Sequence, residues 1–481
     1  MKRKCLKCAA FLFVLMTVIF TANRCLFSEG RYFDGYEENY LQTYQGFKKL
    51  PENSLDIVIC GSSNVFMDIS PLDLWSEYGY KAYNLATPMQ TLEESYFQLY
   101  KSFETQSPQL VLLDCLAFEK YDDNGEAYTH MAYDAYPWSI FKNTYLNENL
   151  PSSYDLKSFM VPFLIYHSRY DEMCISDFDV FFYTEKEDFL GYSPAFSVVP
   201  SEKYGLERGH EEASFDEKDR IWLEKILSLC EENGCELILI KSPCVGSWWK
   251  EDSEIMTEIG EKYGVQYWDL SEEASIDKEL DFCDGGGHLN DRGARKLTRI
   301  IGEKILNYAE DFERFNTNKV VSEYFDSRFY NLEKCRKAQA LKYDKDVFEI
   351  CEKLMDDDYV LCINVVVTPE TNNILGVLTD NAVDSQPLNQ RVSLILDRKE
   401  NLLEMVTGDD NIVMEKKWSD TWFYLENKST GSMIQADYHN YALSCETGIS
   451  IVVWDKYYEC VIDEIDIVET DGNIEVTHCG I

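Results

Sequence analysis

"DIVICGSSNVF", Asp56–Phe66, is the stretch on which the reading of the whole chain turns. Ile57–Cys60 are apolar throughout, the signature of a short strand buried on both faces. The chain then reaches Gly61, Ser62 and Ser63 before the apolar pattern resumes. One reading is a plain strand-to-helix turn with a serine cap. The other is a serine held at the carboxyl edge of a sheet for chemistry.

Working outward from Asp56, short apolar runs alternate with helical stretches. "SPLDLWSEYGY" predicts a helix capped by Ser70 with Pro71 in its first turn. "KAYNLA" is a second strand. In "TLEESYFQLYKSFETQ", Leu92, Tyr96, Leu99 and Phe103 fall on one helical face. "PQLVLLDC" is a third strand. After a break, "SFDEKDRIWLEKILSLCEENG" predicts a helix with Trp222, Leu223, Ile226, Leu227 and Cys230 as its apolar stripe and Gly234 as its stop. "CELILIKSP" and "VQYWDLS" are the fourth and fifth strands, with the helix "DSEIMTEIGEKYG" between them. A last helix runs from Asp291 to about Ala309. This alternation predicts an α/β parallel sheet in three layers, with the ligand site at the carboxyl ends of the strands. The Gly-Ser-Ser turn lies at that edge.

The break, about 122–213, is rich in aromatic residues, proline and serine and reads as an insertion over one end of the sheet. The α/β domain is expected over 31–310, followed by a polar, partly helical connector over 311–345. From 346 to 481 strand signals dominate ("YVLCINVVV", "RVSLILD", "GISIVVWDK", "CVIDEIDIVE"), predicting a second, β-rich domain.

The chain has 481 residues and a net charge of −41, from 45 basic and 86 acidic residues. That balance argues against nucleic acid and against anionic lipid head groups as partners, since both need a positive surface. The amino terminus is the exception. Lys2, Arg3, Lys4 and Lys7 precede an uncharged, mostly apolar run from Cys8 to Ala22. That order reads as a signal sequence, and without a clean small-x-small cleavage site we read 1–30 as an uncleaved signal-anchor, the alternative being a cleaved signal and a secreted chain. The expectation is a chain held at the cell membrane with its bulk outside the cytoplasm. The 16 cysteines show no regular spacing. Cys60, Cys115, Cys235 and Cys362 sit in apolar runs and read as buried thiols; no structural zinc is predicted, and disulfide pairing is left open.

Serine-based acyl chemistry needs an exposed serine on a sharp turn, a histidine to take its proton and an acid to orient the histidine. Of the six histidines, His288 alone has a suggestive setting, "DFCDGGGHLNDRGA", a glycine-rich loop after the fifth strand. Ser63 and His288 therefore fall at the same sheet edge. His130, Trp138, Trp248 and Trp249 read either as packing or as sugar-stacking groups at the mouth of the site.

These blocks resemble the SGNH (GDSL-type) hydrolase superfamily, particularly its exported members that act on cell-envelope polymers. The resemblance covers roughly Leu55–Leu306. It implies a flavodoxin-like sheet, Ser63 as nucleophile in the Gly-Ser-Ser block and His288 as base in "HLNDRGA". Asp284 is the implied orienting acid, with Asp281 as the fallback. Asp284 stands four residues before His288 rather than the family's three. The family's oxyanion glycine and asparagine are missing from "NLATPMQ" and "LLDCLAFEKYDD", so Asn84, Thr87 and Gln90 are the side chains expected to help the Ser63 amide. "YHSRY" also resembles such proteins and marks His167 and Arg169 as substrate contacts.

The segment Tyr359–Glu469 resembles the interleukin-like EMT-inducer family through "GISIVVWDKYYECVIDEIDI" and "RVSLILDRKENLLEMV". That resemblance implies carbohydrate recognition. Together the two resemblances imply a serine esterase or O-acyltransferase working on acyl groups, most plausibly acetyl, of a cell-surface polysaccharide or glycopolymer. No cofactor is implied, and polysaccharide-assembly proteins of the envelope are the implied partners. The rival expectation is a catalytically silent SGNH fold that binds envelope polymer.

Overall fold

A computed structural model describes most of residues 44–118, 125–161, 189–201, 215–308, 319–436, 439–443, 448–456, 460–470 and 473–478, with scattered positions in 11–21. The chain divides into two compact units, Met1–Leu332 and Glu333–Ile481.

The first unit is built on a five-stranded sheet of order β2-β1-β3-β4-β5, every pairing parallel. Its strands are β1 (Ile57–Gly61), β2 (Ala82–Ala86), β3 (Leu110–Asp114), β4 (Glu236–Lys241) and β5 (Gln266–Asp269). Successive strand residues serve opposite faces, and both faces are covered. Val58 and Cys60 pack with Leu113, Phe97 and Trp222 on one side. Ile57 and Ile59 pack with Leu112, Ile238, Leu297 and Ile301 on the other. That is why the strands carry unbroken apolar runs. Truncating Ile59, fully buried at the centre, is expected to cost about 2–5 kcal/mol.

Helices form where the caps and stripes predict them. In α1 (Ser63–Asp68) and α2 (Pro71–Tyr78) the chain turns back over one face. Ser70 caps α2 by accepting from the Asp73 amide, and Gly79 ends it at φ 74°. The helix α3 (Leu92–Ser102) starts on a capping box of Thr91 and Glu94. Its buried face differs from the expected stripe by one position. Phe97 is buried, whereas Tyr96 is half-buried and lies 5.5 Å from Trp222, ring centre to ring centre. The neighbouring helix therefore draws Tyr96 sideways off the sheet. In the insertion the described helices are α4 (Gly125–Tyr133), α5 (Ile140–Asn149) and α6 (Leu156–Met160). They are followed by α7 (Glu217–Glu232), α8 (Lys250–Tyr263) and α9 (Asp291–Tyr308). The expected connector contains α10 (Lys319–Lys342), which runs through the boundary between the units.

The second unit holds two antiparallel sheets. Six strands run in the order β15 (Asn473–His478), β14 (Cys460–Thr470), β13 (Gly448–Asp455), β6 (Tyr359–Val366), β7 (Arg391–Asp397) and β8 (Leu402–Gly408), and four in the order β12 (His439–Leu443), β11 (Gly431–Ala436), β10 (Thr421–Lys428) and β9 (Ile412–Trp418). Strand β6 is buried on both faces. Its Leu361, Ile363 and Val365 meet Ile350 and Leu354 of α11 (Val347–Leu354) and Ile374 and Leu375 of α12 (Pro369–Leu378). Val360 and Cys362 meet Phe423, Leu425 and Ile434 of the smaller sheet. The four cysteines expected to be buried thiols are buried and free. Among the described residues, no helix is long and apolar enough to cross a membrane. The expected anchor falls mostly on residues outside the described ones.

Candidate functional site

Strand β1 ends on glycine because nothing larger fits. A Cβ at Gly61 would lie 2.6 Å from Asp114 Cβ and 2.8 Å from Val65 Cγ2. The chain passes through Ser62, extended at φ −90° and ψ −157°, and enters α1 at Ser63. The Ser62 hydroxyl makes no capping bond and turns to Asp114 Oδ2 at 3.4 Å. Ser63 is thereby set on the first turn of a helix at the carboxyl edge of the sheet.

Its Oγ lies 2.7 Å from His288 Nε2, and His288 Nδ1 lies 2.6 Å from Asp284 Oδ2. A carboxylate only accepts, so in the neutral ring Nδ1 carries the proton and Nε2 offers its lone pair to the serine. The loop turns through Gly285 and Gly286, at φ 90° and 126°. This tight path lets Asp284 Oδ1 take the amides of Gly287 and His288, each at 2.9 Å, while Oδ2 meets the ring. Asp281, the fallback orienter, is engaged elsewhere. It is buried against Lys296, Arg292 and the Asp277 amide.

Burial alone would raise the Asp284 carboxyl, but the His288 ring and the two loop amides outweigh it and hold it below the ordinary carboxylate range. Burial likewise works against a charged His288. The hydrogen bond the ring donates to Asp284 and the charges of Asp68 and Asp284 win, lifting the imidazole above its usual value despite opposition from Lys241. Beneath the site, neighbouring strands end in two buried charges, Asp114 on β3 and Lys241 on β4. Burial raises the Asp114 carboxyl, and Lys241 with the Leu116 and Ser242 amides and Ser62 pulls it back. Lys241 Nζ donates to the Ser242 carbonyl and sits 5.3 Å from the centre of the Trp248 ring.

The side chains expected to line an oxyanion hole are directed into the fold instead. Asn84 Nδ2 donates to the carbonyls of Val65 (3.1 Å) and Ile69 (2.8 Å), tying β2 to α1. Thr87 donates to Gln90 Oε1 at 2.9 Å. Gln90 Nε2 is shared among Ser95, the Leu85 carbonyl and Cys60. All three residues are buried, so their polar groups must be satisfied internally. His167 and Arg169 lie outside the described residues, as does Trp249. His130 and Trp248 are packed inside, while Trp138 is 65% exposed.

Several residues at the site were not singled out from sequence. Segment 189–201 runs alongside it, with Asn84 donating to the Leu190 carbonyl, Ser193 to the Phe66 carbonyl and Asp291 to the Ala195 carbonyl. Asn64 and Asp68, both buried on α1, bond to the His288 loop. Two buried polar residues one turn apart among Val65, Phe66 and Met67 were the available signal.

No family model and no curated protein matches the chain. Solved structures similar to it include a Bacteroides fragilis protein named as an acylhydrolase, at 13% identity over 57% of this chain and 99% of that one, with a TM-score of 0.28. A Desulfitobacterium hafniense protein named as lipolytic, of the G-D-S-L family, is similar at 10% identity over 52% of this chain and 98% of that one, TM-score 0.28. A GDSL-like lipase from Bacteroides thetaiotaomicron is similar at 10% identity over 56% and 98%, TM-score 0.28. At these values the likeness carries no argument about activity or substrate.

Proposed function

We propose that the chain is a serine esterase or O-acyltransferase of SGNH type. The observation that carries this is the unbroken run of contacts Ser63 Oγ–His288 Nε2 (2.7 Å) and His288 Nδ1–Asp284 Oδ2 (2.6 Å). Ser63 attacks the ester carbonyl and passes its proton to His288 Nε2, while Asp284 holds the ring and stabilises the imidazolium. Collapse of the tetrahedral intermediate expels the alcohol, which takes that proton. The acyl group on Ser63 then leaves to water or to a sugar hydroxyl, deprotonated in turn by His288. For the oxyanion, the donor at hand is the Ser63 amide, since amides in a helix's first turn have no intrahelical acceptor.

The substrate we propose is an acetyl-type ester on a cell-surface polysaccharide or glycopolymer. The basic-then-apolar amino terminus supports an exported, membrane-held enzyme, and envelope polysaccharide-assembly proteins are its proposed partners. Glycan recognition by the second unit rests on its sequence resemblance alone. A second reading, a silent fold that binds envelope polymer, is favoured by one observation, the commitment of Asn84, Thr87 and Gln90 to internal bonds. Losing an oxyanion donor typically costs ~100- to 1,000-fold in rate.

Fluorophosphonate labelling of the full chain, with p-nitrophenyl acetate turnover, separates the two. The esterase reading expects labelling and turnover that vanish in Ser63→Ala and His288→Ala. An unlabelled parent, with all three proteins equally slow on the ester, would overturn it and leave the binding fold.

A further inference from the structure

We infer that Asn64 and Asp68 are positioning residues that hold the His288 backbone against the nucleophile helix. The inference rests on Ser63 and His288 working together as proposed above. Asn64 and Asp68 stand one turn apart on α1, directly after Ser63, and therefore on one face. Asn64 Nδ2 donates to the Gly287 carbonyl at 3.1 Å and to Asp68 Oδ2 at 2.9 Å. Asp68 Oδ1 accepts the Leu289 amide at 2.8 Å. The main chain is thus gripped on both sides of His288, by residues one and five positions beyond the nucleophile.

The grip adds to the loop's other backbone ties, Cys283 N–H to the His288 carbonyl (3.1 Å) and Val245 N–H to the Gly286 carbonyl (2.8 Å), and it is the one made by the nucleophile helix itself. The loop turns through glycines at positive φ, and the Asp284 side chain that orients the ring is 42% exposed. The Asp284–His288 contact therefore competes with water, whereas Asn64 and Asp68 are 1% and 0% exposed. Buried hydrogen bonds to a charged group are worth more than wet ones. An apolar pair at these positions would pack the helix just as well but would leave the Gly287 carbonyl and Leu289 amide unpartnered. A buried carboxylate is a costly choice unless its bonds are used.

Both Asp68 oxygens accept, so the grip belongs to the ionised form. Burial pushes this carboxyl up to about 7, with His288, Asn64, the Leu289 amide and Lys241 pulling against it. The charged groups bearing on it are His288 from the loop and Lys241 from the end of β4. Its negative charge in turn favours protonated His288. Asp68 therefore places the base and, after the Asp284 hydrogen bond, adds to its proton affinity.

The test uses the full chain, the fluorophosphonate labelling rate of Ser63 and an NMR titration of the His288 ring, assigned with His288→Ala. Asp68→Asn keeps an acceptor for the Leu289 amide but sets a donor against Asn64, and Asn64→Ala frees the Gly287 carbonyl. Asp68→Asn is expected to move the His288 midpoint to lower pH and to slow labelling about 10- to 100-fold, on the scale of a small misplacement. Asn64→Ala is expected to slow labelling with a smaller change in midpoint. A folded Asp68→Asn with parental midpoint and rate overturns the inference. So does a lowered melting temperature with the midpoint unmoved, which would make the pair merely structural. If the parent is never labelled, the esterase reading fails while the titration still decides whether Asp68 governs His288.

Discussion

Among the described residues, the first unit contains two Ser-His-Asp groupings, and they are arranged differently. At the sheet edge, Ser63, His288 and Asp284 are joined at 2.7 and 2.6 Å. In the insertion, Ser158 lies 3.2 Å from His130 Nε2, and His130 Nδ1 lies 2.8 Å from Asp134. The second trio is buried, with the His130 ring stacked on Phe159 at 3.7 Å. The Ser158 hydroxyl already donates to the Asp155 carbonyl at 2.6 Å, so it has no proton to give His130. The Ser63 hydroxyl gives its proton toward the ring and is half-exposed. The difference teaches that the trio of residue types is not the signal. What separates chemistry from packing is where the serine proton points and whether an ester can reach it.

The sharpest way to break this contrast is at Ser63 and His288. Ser63→Ala and His288→Ala should each lower ester turnover by about 10,000-fold or more, read with p-nitrophenyl acetate. Residual turnover within tenfold of the parent would put the chemistry elsewhere. Asp284→Asn should follow at about 100- to 1,000-fold. Its carboxylate fixes the tautomer, but its exposure lets water take part of its place. Equal losses in Asp284→Asn and Asp281→Asn would mean that ring orientation is not what Asp284 supplies.

A pH profile sharpens the contrast further. His288 must be neutral to act as base, and its proton affinity is raised in the fold. Turnover should therefore rise with pH through a midpoint above the usual ~6.5. The sign for stability is opposite. The His288⁺ contribution is fully present below the unfolded value of ~6.5 and is lost as pH rises through the folded one. The depressed Asp284 carboxyl contributes stability above the unfolded value of ~3.9 that is lost as pH falls through its folded value. A profile that is flat between pH 6 and 9 would remove His288 from the rate-determining proton transfer.

Much of this was legible in the chain before any coordinate. The apolar runs and capping residues located β1 to β5 and α9, because both faces of a parallel sheet are covered and each helix start carries its own side-chain signal. Ser63 and His288 were legible because the alternation puts both at one sheet edge. Asp284 came from the resemblance. The oxyanion expectation for Asn84, Thr87 and Gln90 failed because a turn residue's side chain can be spent on a carbonyl that sequence cannot locate. Asn64 and Asp68 went unnoticed for the same reason in reverse, since their partners are main-chain groups 221 and 223 positions away. Tyr96 was misjudged because helix-to-helix packing, which periodicity along one helix does not report, draws it off the sheet.

The smallest expected effect lies in the buried trio, and it is a test of the contrast as a whole. Ser158→Ala removes a hydroxyl that accepts from or faces His130 and donates to the Asp155 carbonyl. With Asp134 still holding Nδ1, the ring keeps one partner and its stack on Phe159. The loss should be about 1 kcal/mol, the net worth of an ordinary hydrogen bond, read from denaturant unfolding. Ester turnover should stay within about twofold of the parent, because a rigid insertion still covers the sheet when one bond is gone. A large fall in turnover with stability intact would show that Ser158 and His130 take part in the reaction. In that event neither burial nor a spent proton distinguishes the two trios, and the contrast drawn here would have to rest on reach to the ester alone.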